Sequence, residues 1–218
     1  MKINIHNIEI NYTKTGNGPA LILAHGNGED LHIFDRLILK LKQDFTVYAI
    51  DSRNHGESSK TGDYSYKVMA GDIAGFINTL ELEDVSIAGF SDGAISAIMA
   101  VTGYGNIFKK MVLMGVNLKP SDFKEEYYSY IEEEYKKTGD PLVKMMLEQP
   151  DIDISVLRNI DIPALVIAAE DDLFIPESFE KIAKAMSNAR LIIIPEHDHS
   201  SYVIDNDMLY PYLKEFLL

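Results

Sequence analysis

The pentapeptide Gly89-Phe90-Ser91-Asp92-Gly93 follows the apolar run Val85–Ala88 and precedes a helical pattern opened by Asp92. A serine at a sharp strand-to-helix turn stands clear of the backbone only if the residues two positions away are small, and Gly89 and Gly93 meet that demand. The helix that follows aims its unpaired N–H groups and positive end at the serine, where an oxyanion forms during acyl transfer. The plainer reading is a glycine-flanked turn with a serine N-cap.

Three further stretches favour chemistry. His25-Gly26-Asn27-Gly28 closes the run Ala20–Ala24, where glycines let the backbone approach a ligand and an N–H of the loop, that of Asn27 being the best candidate, can supply a second oxyanion donor. Glu170-Asp171-Asp172 ends the run Ala164–Ala168, and His197-Asp198-His199 follows the run Leu191–Pro195. Serine, carboxylate and histidine thus recur in that chain order, each expected on a loop at one edge of a sheet. His25 and His55 read as turn-holding residues. His197 with His199 is a weak metal fragment without a third ligand cluster, so no metal and no cofactor is implied. The Asp92 carboxylate suits a helix N-terminus but opposes an oxyanion, and is expected to point away from the site.

These residues need elements to hold them. Alternating stretches Lys2–His6 and Glu9–Thr13 flank Asn7 and predict an opening hairpin. The chain then changes to continuous apolar runs, the pattern of parallel strands buried on both faces: Ala20–Ala24, Thr46–Ile50, Val85–Gly89, Met111–Val116, Ala164–Ala168 and Leu191–Pro195. Met69, Ile73, Phe76, Ile77 and Leu80 mark one helix face between them, and Ala94, Ala97, Ile98 and Val101 another. The fold class is therefore α/β, a mostly parallel sheet of about eight strands with flanking helices, in one domain over residues 1–218. Residues 117–159 lack a strand and place Phe123, Tyr127, Tyr130, Ile131 and Tyr135 at helical spacing, which predicts a short helical cap over the site.

Composition narrows the function classes. A net charge of -14 repels phosphate backbones and anionic lipid, so the expected partner is a small-molecule substrate and neither nucleic acid nor a membrane. The pairs Lys109-Lys110 and Lys136-Lys137 lie near acidic residues and read as solvated helix faces. The absence of cysteine removes thiolate nucleophiles and zinc-thiolate sites. The N-terminal residues lack the apolar run of a signal peptide, so a cytoplasmic location is the default expectation; the sequence carries no reading of oligomeric state.

The whole arrangement resembles the α/β-hydrolase superfamily. Asp51-Ser52-Arg53-Asn54-His55-Gly56-Glu57-Ser58 is similar to that family's D-x-R-G-H-G-x-S loop, with Asn54 in place of the usual glycine, a mild change because Asn tolerates left-handed geometry. The resemblance implies Ser91 as nucleophile, Asp172 as acid, His199 as base, and Asn27 and Asp92 as backbone oxyanion donors. It also implies Asp172 over Asp171, since the family's acid lies four residues before the loop proline, here Pro176. The family's other acid position, after the Met111–Val116 strand, holds Asn117. The implied activity is a serine hydrolase, a carboxylesterase acting on a small, partly apolar substrate. A carbon–carbon bond hydrolase or perhydrolase uses the same triad, and a non-catalytic ligand-binding or scaffold protein keeps the same fold.

Overall fold

A computed structural model describes residues 1–218. Strands β1 (Lys2–Ile5) and β2 (Ile8–Thr15) form the expected hairpin, with Ile5 paired to Ile8. His6 (φ 49°) and Asn7 (φ 67°) both take left-handed geometry, as a two-residue turn between twisted strands requires. β2 then pairs antiparallel with β4 (Thr46–Ile50). From there the sheet is parallel, in the order β1-β2-β4-β3-β5-β6-β7-β8, with β3 (Ala20–Ala24), β5 (Ser86–Phe90), β6 (Met111–Met114), β7 (Ala164–Asp171) and β8 (Ala189–Asp198).

The continuous apolar runs are explained by burial on both faces. On β3, Ile22 and Ala24 join one core with Ile87, Leu113 and Val166, while Leu21 and Leu23 join the opposite core with Ala88, Val112 and Leu165. The first core is closed by α2 (Tyr66–Thr79), α3 (Asp92–Tyr104) and α6 (Pro176–Ala185). The second is closed by α1 (Asp35–Leu41) and α7 (Tyr210–Leu217). The two helix faces marked by periodicity are buried as read: Met69, Ile73, Phe76 and Ile77 on α2, and Ala94, Ala97, Ile98 and Val101 on α3. No helix is long and apolar enough to cross a membrane.

The last two strands run further than expected, and this changes where the site residues stand. β7 and β8 pair past a register shift between Ala169 and Asp171, so that Asp171 lies opposite Asp198. Glu170, Asp171 and His197 are therefore strand residues, not loop residues. Asp172 and His199 are the first positions released after each strand, and their side chains pair with each other. The bulge re-aims the chain at the place where the ladder ends.

Between β6 and β7 the chain holds no strand. A 3-10 turn at Pro120–Asp122 leads to α4 (Glu125–Thr138) and α5 (Pro141–Glu148), and a second 3-10 turn spans Ile154–Asn159. Local rules write the α4–α5 corner. Gly139 (φ 65°) ends α4 in the left-handed cap, Asp140 accepts the Leu142 N–H, and Pro141 opens α5. Lys136 and Lys137 sit on an exposed face of α4 opposite Glu132 and Glu133, as expected. Lys110 does not lie on a solvated helix face. It precedes β6, and its Nζ donates to the carbonyls of Phe216 (2.7 Å) and Leu217 (3.2 Å), which would otherwise be unpaired at the end of α7.

Candidate active site

Ser91 stands at the end of β5 with φ 50° and ψ -113°, a conformation that costs a non-glycine residue about 1–3 kcal/mol. The surroundings impose it. The Ser91 N–H donates to Met114 O on β6 (2.8 Å), and Ser91 O accepts from Ile95 N (3.0 Å) as α3 begins. The turn is so tight that a Cβ on Gly89 would lie 2.5 Å from the Gly93 backbone, and one on Gly93 would lie 2.2 Å from Ala24 O. Both glycines are thus required by space, on opposite sides of the serine.

His199 Nδ1 is 2.8 Å from Asp172 Oδ1. Asp172 is itself buried and accepts two backbone N–H groups, from Ala169 (3.2 Å) and Phe174 (3.4 Å). Facing that carboxylate, Nδ1 is the ring nitrogen that carries a proton, and Nε2 is turned away from it. The ring is held between Phe90 (4.9 Å between centroids) and Phe174 (5.4 Å). Gly115, at φ 56°, leaves room for it, since a Cβ there would fall 2.5 Å from His199 Cε1. Asp171 is exposed, and Asp122 is spent on the N–H groups of Leu118 and Lys119 (both 2.9 Å). Asn117, in the other acid position, donates to Lys119 O. His197 turns to Pro195 O at the surface, so the two histidines of the H-x-H pair do not converge.

Ser91 and His199 line one cavity of about 260 Å³ together with Asn27 and Asp92. No hydrogen bond joins Ser91 to His199, whose Nε2 has no partner in the protein. The backbone N–H groups of Asn27 and Asp92 have no protein acceptor either, whereas that of Gly26 is taken by Glu29 Oε2 (2.9 Å). Ser91, His199 and the residues that carry these two N–H groups thus line one volume. Aromatic and aliphatic side chains enclose the rest: Phe123, Tyr127, Tyr130, Ile131 and Met146 from the segment between β6 and β7, and Leu173 and Phe174 after β7.

The Asp92 side chain does not point away from the site. It is buried in the cavity wall, where Oδ1 accepts from Tyr66 Oη (2.8 Å) and Oδ2 from Asn27 Nδ2 (2.9 Å). Burial pushes its carboxyl above the usual range, against the pull of those two donors. The physical reason for the inward turn is this pair of donors, which ties the Ser91 turn to α2 and to the His25–Gly28 loop. Asn27 Nδ2 also reaches Leu142 O on α5 (3.2 Å). Tyr66 and Glu29 were not singled out from sequence. A carboxylate one residue beyond a glycine-rich loop was a signal available for Glu29, but Tyr66 gives none until the fold brings α2 against α3.

The loops behind the site are held by the residues expected to hold turns. Burial, with the nearby His55, pulls the His25 ring down to about 4, so it stays neutral. Its Nδ1 pairs with Gly26 O (2.7 Å) and its Nε2 accepts from Ser52 N (3.0 Å). His55 Nδ1 pairs with Arg53 O (2.9 Å). Asn54 adopts φ 67° and fixes the loop through Asp63 O and Thr61 N. Arg53 forms a buried two-pronged contact with Asp72 on α2, at 2.6 Å for each prong.

The alpha/beta hydrolase fold family model matches residues 19–136, which take in β3 to α4 and the Ser91 turn. The chain is 34% identical to the 2-(acetamidomethylene)succinate hydrolase of Mesorhizobium japonicum over 51% of its length and 40% of that protein, so it spans less than half of that relative. It is 26% identical to the human serine hydrolase BPHL, over 99% of this chain and 85% of that protein. Among solved structures, an esterase from Exiguobacterium antarcticum superposes with a TM-score of 0.87 at 18% identity, over 100% of this chain and 98% of that one. With strand order, the strained Ser91 turn and the family match in agreement, the chain belongs to the α/β-hydrolase fold family.

Proposed function

We propose that the protein is a serine hydrolase that cleaves carboxylic esters of small, partly apolar acyl groups through an acyl-enzyme on Ser91. The observation that carries the reading is the 2.8 Å pairing of His199 Nδ1 with a buried Asp172, on the same cavity wall as a strained Ser91. That pairing leaves Nε2 to take the Ser91 proton when a bound ester closes the gap between them. Ser91 Oγ attacks the carbonyl carbon, and the oxyanion is met by the N–H groups of Asn27 and Asp92. The C–O bond to the leaving alkoxide breaks as His199 returns the proton to it. Water then repeats the sequence on the acyl-enzyme, and Asp172 stabilises the imidazolium in both halves.

The names of the serine hydrolase and esterase relatives agree with this reading. The cavity does not suit the dicarboxylate named for the Mesorhizobium japonicum hydrolase. No lysine or arginine lines the cavity to pair with a carboxylate, and the lining is mostly apolar. We read the segment between β6 and β7 as the lid that sets substrate size, because it supplies Phe123, Tyr127, Tyr130, Ile131 and Met146 to the cavity.

A panel of p-nitrophenyl esters from acetate to dodecanoate tests both parts. Turnover is expected to favour the shorter chains, and no turnover of any member would overturn the esterase reading. Met146→Ala is expected to change the octanoate-to-acetate ratio of kcat/KM by about tenfold or more, since one methylene in an apolar pocket is worth roughly 10–200-fold. A loss of thermal stability with the ratio unchanged would make Met146 a packing residue only.

A further inference from the structure

Glu29 has no part in the mechanism above, yet it is partly buried in the cavity wall beside the nucleophile. Its Oε2 accepts the Gly26 N–H at 2.9 Å, and no side-chain donor reaches it. Its distance from the chemistry is short. A Cβ placed on Gly26 would lie 2.8 Å from Glu29 Oε2 and 3.2 Å from Ser91 Cβ, so the carboxylate and the serine flank the same point. Asp92, the other cavity carboxylate, has both oxygens covered by side-chain donors. Glu29 offers its charge to the pocket much less covered.

We infer that Glu29 is a specificity-determining residue that makes the site reject acyl groups carrying a carboxylate near the scissile carbonyl. The inference rests on the esterase reading. A second negative charge entering this volume meets Glu29 and Asp92 at short range among mostly apolar walls, and finds no lysine or arginine. The titratable groups facing Glu29 are His199 after β8, Asp92 from α3 and Asp30 beside it, with Tyr66, Tyr127 and Tyr130 sharing the cavity. Burial, helped by Asp92 and Asp30, pushes the Glu29 carboxyl up to about 7, against the Gly26 N–H and His199. Below that value Glu29 is neutral and the rejection weakens; above it Glu29 is charged and the rejection is strongest.

The test compares monoethyl succinate with ethyl 4-oxopentanoate, in which a neutral acetyl group replaces the carboxylate at the same distance from the ester. Succinate monoesters are ionised throughout the range used, so the ratio of the two kcat/KM values reports on the enzyme, and effects common to both esters cancel. In the wild type the anionic-to-neutral ratio is expected to fall by about tenfold between pH 6 and pH 8.5. Glu29→Gln, which keeps an acceptor for the Gly26 N–H, is expected to raise that ratio at pH 8.5 by about 10–100-fold and to remove its pH dependence. Hydrolysis of the neutral ester with a ratio that Glu29→Gln leaves unchanged would overturn the inference and leave the esterase reading standing. If the variant does not fold, a wild-type ratio constant from pH 6 to 8.5 overturns it equally. Failure of the wild type on both these esters and on the p-nitrophenyl panel would overturn the esterase reading, and the inference with it.

Discussion

Ser91→Ala is expected to lower kcat on a p-nitrophenyl ester by about 10⁴–10⁶-fold, with the fold retained. The loss is chemical, because the variant removes the proposed nucleophile from the cavity that His199, Asn27 and Asp92 also line, leaving only electrostatic stabilisation and substrate binding. The stability change should be small. The Ser91 side chain makes no hydrogen bond, and alanine occupies the same φ of 50° with the same strain, so the melting temperature should move by a few degrees at most. A variant that keeps more than a tenth of the activity would remove Ser91 from the chemistry, and circular dichroism with a thermal scan separates that outcome from a misfolded preparation.

The second large effect belongs to the acid. Asp172→Asn is expected to cost about 10³–10⁴ in kcat, because an amide at this position stabilises no imidazolium and can hold the ring in the wrong tautomer. Some stability will go too, since the amide cannot accept the His199 Nδ1–H and the N–H groups of Ala169 and Phe174 as the carboxylate does. Asp171→Asn is the informative control. Asp171 is exposed at the end of β7, and its replacement should change kcat less than threefold. If Asp171→Asn were the crippling change, the acid would move by one residue. Indifference to both would point to a serine–histidine dyad.

The sequence carried the sheet well because its strands are buried on both faces, and a run such as Leu21-Ile22-Leu23 has no other economical place in a domain of this size. The Ser91 turn was legible for a steric reason: Gly89 and Gly93 are the residues that allow it, and each abuts backbone at a distance no side chain could take. The ends of β7 and β8 were not legible. Glu170-Asp171 and Glu196-His197-Asp198 are polar and read as loops, but backbone pairing across the bulge extends the ladder through them. Side-chain direction was also hidden. Helix electrostatics argued that Asp92 should turn outward, but Tyr66 and Asn27, 26 and 65 residues away in sequence, supply donors that make the inward position satisfied. Glu29 shows only its local half in sequence, the Gly26 N–H three residues away; Ser91 and Asp92 are brought to it by the fold.

The most direct measurement of the central claim is covalent labelling with a fluorophosphonate probe, read by intact mass and by sequencing of the labelled peptide. One probe per chain is expected, attached to Ser91, with labelling abolished in Ser91→Ala and slowed by orders of magnitude when His199 is replaced by alanine. Label on another serine, or an unlabelled chain in a preparation that hydrolyses esters, would contradict the assignment of Ser91 as nucleophile.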